Sequence, residues 1–206
     1  MSDQYFDFFT PPLKEQKLED TVFTALDFET TGLYPDSDRV IEVGILKFDL
    51  KGEIDSFETL INPGRHIPSE SSKISGISND MVKDSPVMAD VFKDIVKFID
   101  GSLVIAHNIN FDYSFLKKEA QLLGEEFKLD MGVDTVNLSR KALKGYQSYS
   151  LQNLAKYLHL SAGNAHRALD DSRLCMQLFL KALPNIENSS GMTVKELFLY
   201  SNTRLK

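Results

Sequence analysis

Asp27 and Glu29 flank a single phenylalanine in Thr24-Ala-Leu-Asp-Phe-Glu-Thr-Thr-Gly-Leu33, where an apolar run gives way to small, turn-forming residues. On a strand, residues two apart share a face, so both carboxylates would point the same way. Like charges that close repel unless a cation sits between them. Taken alone, the triplet reads equally as an exposed edge with two solvated acids. Two further segments add to it. In Val104-Ile-Ala-His-Asn-Ile-Asn-Phe-Asp112 a strand-like run ends in polar residues ahead of an acid, which an ordinary helix N-terminal cap would also explain. In Gly163-Asn-Ala-His-Arg-Ala-Leu-Asp-Asp171, His166 stands at a loop-to-helix border and Asp171 lies five residues on; a histidine so placed also serves as a cap or a solvated residue. Together the segments supply four carboxylates, Asp27, Glu29, Asp112 and Asp171, and one imidazole. Hard oxygen ligands without a paired cysteine or second histidine select magnesium or manganese over zinc. Two such ions a few Å apart form the clamp used for in-line displacement at phosphorus.

The elements that must position these groups follow from hydrophobic patterning. Val22 to Phe28 is a short apolar run suited to a buried strand, and Val40 to Phe48 and Glu53 to Ile61 are strand-like, with Asp49-Leu-Lys-Gly52 able to turn one into the other. Val87, Val91, Ile95 and Phe98 recur at helical spacing. Leu103 to Ala106 is a brief strand, a helix is expected after Asp112, and Val133 opens a last strand. Helices follow near 135–143 and 150–159, and a long one runs from Arg167 to Leu183, ending before Pro184. Strand-strand-strand-helix-strand-helix-strand-helix implies an α/β chain with a mixed sheet covered by helices.

Composition narrows the classes. With 206 residues, 42% of them hydrophobic, the chain can bury one sizeable core. Its net charge of −7 excludes a globally basic surface for a polyanion, so any nucleic-acid contact must rest on local cations or metal ions. A lone cysteine, Cys175, leaves no intrachain disulfide and fits a reducing compartment. No segment has the length and apolarity of a membrane span or a secretory leader, so a cytoplasmic location is expected.

Asp27-Phe-Glu-Thr-Thr-Gly-Leu33, His107-Asn-Ile-Asn-Phe-Asp112 and His166-Arg-Ala-Leu-Asp-Asp171 resemble the three motifs of the DEDDh 3′-to-5′ exonucleases, in particular the proofreading epsilon subunit of bacterial DNA polymerase III and the exonuclease domain of PolC-type polymerases. The resemblance covers about residues 21–183 and includes Ile61-Asn-Pro63, Ile67-Pro68, Ile74-Ser-Gly-Ile77 and Asp134-Thr-Val-Asn-Leu-Ser-Arg140. It implies a ribonuclease H-like fold with a mixed five-stranded sheet flanked by helices. It also implies two divalent cations, Mg2+ or Mn2+. Asp27 would bridge both, Glu29 and Asp171 would hold the ion that activates water, and Asp112 would support the second, partly through water. His166 would be the general base, a role suited to an imidazole that is not a metal ligand and ordinarily titrates near working pH. By the same resemblance Thr30, Leu33 and Phe111 would meet the terminal nucleotides, although Phe111 serves equally to pack the helix start. Ser75 departs from the histidine or threonine found in many relatives. His66 and His159 read as surface or packing residues.

The implied activity is release of nucleoside monophosphates from single-stranded DNA 3′ ends, in proofreading or repair. Alternatives are a 3′-to-5′ exonuclease acting on RNA or oligoribonucleotides, and an accessory subunit whose binding to a polymerase or sliding clamp dominates. Residues 1–20 read as an N-terminal arm, 21–183 as the exonuclease domain, and 184–206 as a linker with one small docking helix. Gln4-Tyr-Phe-Asp-Phe-Phe9 has a faint likeness to a sliding-clamp peptide with its spacing off by a residue. Only about two dozen residues follow Leu183, a departure from the epsilon subunit, which continues beyond its catalytic domain into a polymerase-binding segment.

Overall fold

The computed structural model describes residues 11–161 and 166–205. The clamp-like peptide therefore lies outside the described residues. Three antiparallel strands open the fold: β1 (Phe23–Thr30), β2 (Val40–Asp49) and β3 (Gly52–Leu60). The Asp49 carboxylate closes the second turn by accepting the Lys51 and Gly52 amides at 2.7 and 3.2 Å. β4 (Leu103–Ala106) and β5 (Val133–Asp134) then add parallel on the other side of β1, giving the order β3-β2-β1-β4-β5. β1 is thus central, antiparallel to one neighbour and parallel to the other. Its apolar residues Phe23, Ala25, Leu26 and Phe28 are all buried, as expected for a strand covered on both faces.

The long helix α8 (Ala168–Ala182) covers one face of this sheet, lying against β1 and β2. Phe23 and Phe48 are cross-strand partners, and Phe179 of α8 completes a three-ring cluster with centroid separations of 5.0 to 5.9 Å. Each such pair contributes about 0.5–1.5 kcal/mol beyond the area it buries. On the opposite face α4 (Met88–Ile99) buries Met88, Phe92, Ile95, Val96 and Ile99 at helical spacing and sets Phe98 against Phe57 of β3. Helices α5 (Ile109–Leu122), α6 (Thr135–Ala142) and α7 (Leu151–Leu158) cover the parallel end. Among the described residues no helix is long and apolar enough to cross a membrane.

Three features differ from the patterning. Two short helices, α2 (Ser69–Ser75) and α3 (Asn79–Val82), occupy the polar stretch after β3; neither is long enough to display a period. Helix α5 begins at Ile109, before Asp112 rather than after it, with Asn108 at the left-handed φ of 76° as its first flanking residue. Residues 11–20 are not detached from the core: α1 (Pro11–Glu15) and the turn after it bury Leu13 and Leu18. The C-terminal helix α9 (Val194–Ser201) packs beside α1 and α6. Val194 donates to the Gln16 carbonyl at 2.9 Å, so the two ends of the described chain brace one another.

Candidate active site

The motif acids meet at the open end of β1. Cross-strand register pairs Asp27 with Gly44 and Glu29 with Glu42, so all four positions face α8. Gly44 is required there. A Cβ added to it would lie 2.1 Å from the Ala168 carbonyl carbon and the Leu169 nitrogen, and the Ser172 hydroxyl donates to the Gly44 carbonyl at 2.8 Å. Helix α8 therefore starts directly against β2, which carries Asp171 to the two acids of β1. One ligand atom from each of Glu29, His166 and Asp171 lies within 4.8 Å of the others.

Asp112 arrives from the other side. Its Oδ1 accepts the Phe28 amide of β1 at 3.1 Å, and its carboxylate also accepts its own amide in the first turn of α5, so it ties the strand between Asp27 and Glu29 to that helix. Asp171 is oriented by two donors, the Gln152 Nε2 of α7 to Oδ1 at 2.7 Å and the His166 amide to Oδ2 at 3.3 Å. His166 itself is exposed and sits at φ 64°, a left-handed conformation that costs a non-glycine residue about 1–3 kcal/mol and persists only where the surroundings enforce it.

Electrostatics single out the cluster. Burial, followed by repulsion from Asp112, Asp171 and Glu29, raises Asp27 well above the ordinary carboxylate range. Burial and then the charge of Asp171 push Glu29 up to about 7. Asp112 and Asp171 are raised mainly by burial, with hydrogen bonds from Phe28 and Gln152 acting in the opposite direction. No hydrogen-bond donor among the described residues serves the side-chain oxygens of Asp27 or Glu29. Carboxylates crowded together and uncomfortable as anions, with Asp27 and Glu29 lacking donors among the described residues, suit divalent cations with hard oxygen preference.

The loop after β1 is pinned beside this cluster. Thr30 Oγ1 donates to the Gly32 carbonyl at 2.6 Å, the Asp38 carboxylate accepts from Thr31 Oγ1 and the Tyr34 amide, and Ser71 of α2 donates to the Thr31 carbonyl at 2.6 Å. Gly32 has no room for a side chain, since a Cβ would lie 2.5 Å from Asp38 Oδ2. The loop holds Leu33 outward at 72% exposure. Phe111 is half-buried, its ring 5.0 Å from that of Phe115, so it packs the start of α5 while keeping one side open. Ser75 bonds within its own helix, to the Ser71 carbonyl, and is buried. His66 and His159 are exposed, away from these bonds.

Sequence reasoning missed Glu42, Gln152 and the role of Gly44. Glu42 carried a signal, because an acid inside Val40-Ile-Glu-Val-Gly-Ile is out of place in a buried strand unless something holds it. His107 also has a structural use. Its ring nitrogens lie 2.9 Å from Thr135 Oγ1 and from the Tyr149 carbonyl, and burial lowers its pKa.

A family model described as Exonuclease (RNase_T) matches residues 24–179. The DNA polymerase III subunit epsilon of Treponema pallidum is 41% identical over 178 residues, covering 85% of this chain and 83% of that protein. A PolC-type DNA polymerase III of Caldanaerobacter subterraneus is 35% identical over 175 residues, but this chain spans only 12% of its length. Exonuclease X in complex with 5′ overhanging duplex DNA superposes with a TM-score of 0.68 at 24% identity, covering 87% of this chain and 99% of that one. The nuclease domain of 3′hExo, a DEDDh family member bound to rAMP, gives 0.70 at 17% identity over 89% of this chain and 95% of its own. At these identities the structural likeness establishes the ribonuclease H-like arrangement of sheet and helices.

Proposed function

This chain belongs to the RNase_T exonuclease family and is a 3′-to-5′ exonuclease of the DEDDh, epsilon-like type, and from that premise we propose that it removes nucleoside monophosphates from single-stranded DNA 3′ ends. The convergence of Asp27, Glu29, Asp112, Asp171 and His166 on one end of β1 carries the reading.

Two divalent cations, Mg2+ or Mn2+, fit the donor set: Asp27 would be shared, Glu29 and Asp171 would hold one ion, and Asp112 would support the other. Bound there, they would offset charge building up on the phosphate and make water more acidic. The chain's own residues do the rest. The His166 ring, beside Glu29 and Asp171, takes the proton of the attacking water. Gln152 and the His166 amide keep Asp171 aimed into the cluster. The pinned loop presents Thr30 and Leu33 to the terminal nucleotide, with the open side of Phe111 as a second contact. With a net charge of −7, grip on a few terminal nucleotides is weak and falls with salt.

Kinship with an epsilon subunit supports proofreading or repair as the setting and a replicative polymerase as a partner. Residues 21–183 would be the catalytic unit and 184–206 a C-terminal brace that also shapes any polymerase contact. A pull-down of polymerase with the full chain and with residues 184–206 removed addresses that contact.

The activity is tested by giving 5′-labelled DNA and RNA oligomers to the protein with magnesium, manganese or chelator, alongside Asp27→Ala. Stepwise 3′ shortening of DNA that needs metal and Asp27 is expected. Shortening of RNA in preference to DNA would overturn the substrate, and no shortening under any metal would overturn the reaction.

A further inference from the structure

Glu42 is an acid with no exposed surface, placed across the sheet from the metal-binding candidate Glu29. Another negative charge there worsens the crowding, and it counts among the groups that push Asp27 and Glu29 upward. If packing were all that mattered, an apolar residue would serve better at this position. Nor is Glu42 available as a metal ligand, because its oxygens are already engaged. Oε1 accepts Arg167 Nε at 2.9 Å and an Arg167 terminal nitrogen at 2.6 Å, while Oε2 accepts Arg167 Nε at 3.2 Å and the Ala168 amide at 3.0 Å.

Those donors belong to the two residues after His166. Arg167 is extended, at φ −122° and ψ 123°, and α8 begins at Ala168, so the chain turns sharply between loop and helix. His166 is held at its left-handed φ of 64° on one side by the hydrogen bond its amide donates to Asp171 Oδ2 and on the other by this carboxylate grip on residues 167 and 168. Arg167 makes a further, longer contact to Glu58 on β3, at 3.4 Å, which braces the guanidinium from the far side. A bidentate arginine–carboxylate pair fixes direction as well as distance, which a single hydrogen bond does not.

We propose that Glu42 and Arg167 form a positioning clamp that keeps the strained His166 backbone, and hence its ring, in place for proton transfer at the site. The inference rests on the exonuclease reading for His166's role, while the clamp itself is a structural claim about the metal-free chain. Neither residue is catalytic; their opposite charges near Glu29 offset one another in part, and their positioning effect runs through His166.

A double-mutant cycle separates positioning from general damage. Glu42→Gln and, from the exposed side, Arg167→Met are compared with wild type and in a His166→Ala background, measuring kcat and KM on a labelled oligonucleotide. Each substitution lowers kcat by about 10- to 100-fold with KM little changed in the wild-type background, as expected for a small displacement of a proton acceptor. In His166→Ala each has less than about a twofold further effect. Equal losses in both backgrounds would overturn the proposal, since general damage does not depend on the imidazole. Amide hydrogen exchange, followed by NMR in chelator, reads the clamp without activity: the His166, Arg167 and Ala168 amides exchange faster in both variants while the β1 and β2 core amides do not. Should the wild type prove to have no His166-dependent turnover, the functional reading fails by itself. Unchanged exchange at those three amides would then overturn the clamp independently.

Discussion

Crowded carboxylates make the metal-free site a source of instability, and Asp27→Asn should therefore stabilise the protein in chelator while abolishing its activity. Glu29 moves from the ordinary 4.5 to about 7, which at about 1.4 kcal/mol per pH unit corresponds to about 3 kcal/mol of unfavourable environment for its charge. Asp27 is shifted in the same direction by burial and by three of its acidic neighbours before Glu42. Since both groups have folded-state values above their unfolded ones, the unfolded chain releases these protons first as pH rises. Stability from this cluster is complete only below the ordinary values of 3.8 for Asp27 and 4.5 for Glu29, and is lost progressively until the folded groups also ionise, near pH 7 for Glu29. Removing the Asp27 charge relieves part of that loss, about 1–3 kcal/mol at pH 7.5, or a rise in melting temperature of about 3–10 °C for a domain of this size. The assay is differential scanning calorimetry in chelator at about pH 3 and about pH 7.5, repeated with manganese at the higher pH. The variant melts higher than wild type at about pH 7.5 and within about 1 °C of it at about pH 3. Manganese raises the wild type but barely moves the variant. A variant that melts lower than wild type at pH 7.5 in chelator, or whose gain is the same at both pH values, refutes the reasoning.

Replacing His166 by alanine should lower kcat by about 10² to 10⁴ while calorimetric manganese binding stays largely intact; unchanged turnover would remove His166 from proton transfer. Gly44→Ala forces a methyl group against the Ala168 backbone. A loss of about 1–3 kcal/mol in urea unfolding is expected, and a fall in kcat of about 10²-fold as Asp171 is displaced; near-native values for both would show that α8 does not depend on that close approach. Gln152→Ala frees one oxygen of Asp171, and a drop of about tenfold in manganese affinity is expected from titration calorimetry, as for other groups that orient metal ligands.

What could be read from the sequence was what local pattern encodes. β1, β2 and β4 are near-continuous apolar runs because both sheet faces are covered, and α8 shows its length and its stop before Pro184. The five candidate residues stood out because each lies near a border of such an element. Relations across the chain were not legible. Asp112 looked like a helix cap, yet it also accepts the Phe28 amide, 84 residues away. The Arg167 pairing of Glu42 spans 125 residues. Gly44 weakens a strand by local propensity, and its use appears only once α8 is laid across it. α2 and α3 escaped because one or two turns cannot show periodicity. For residues 11–20, read as part of an N-terminal arm, the burial of Leu13 and Leu18 was not legible, since it depends on α9 and neighbouring elements from the opposite end of the chain.

Manganese anomalous diffraction from crystals of this protein addresses the central claim most directly. The account predicts metal density enclosed by the carboxylates of Asp27, Glu29 and Asp171, with Asp112 on the side of a second ion and the His166 ring alongside without ligating either. Density elsewhere, or a His166 nitrogen at bonding distance from the metal, would contradict it.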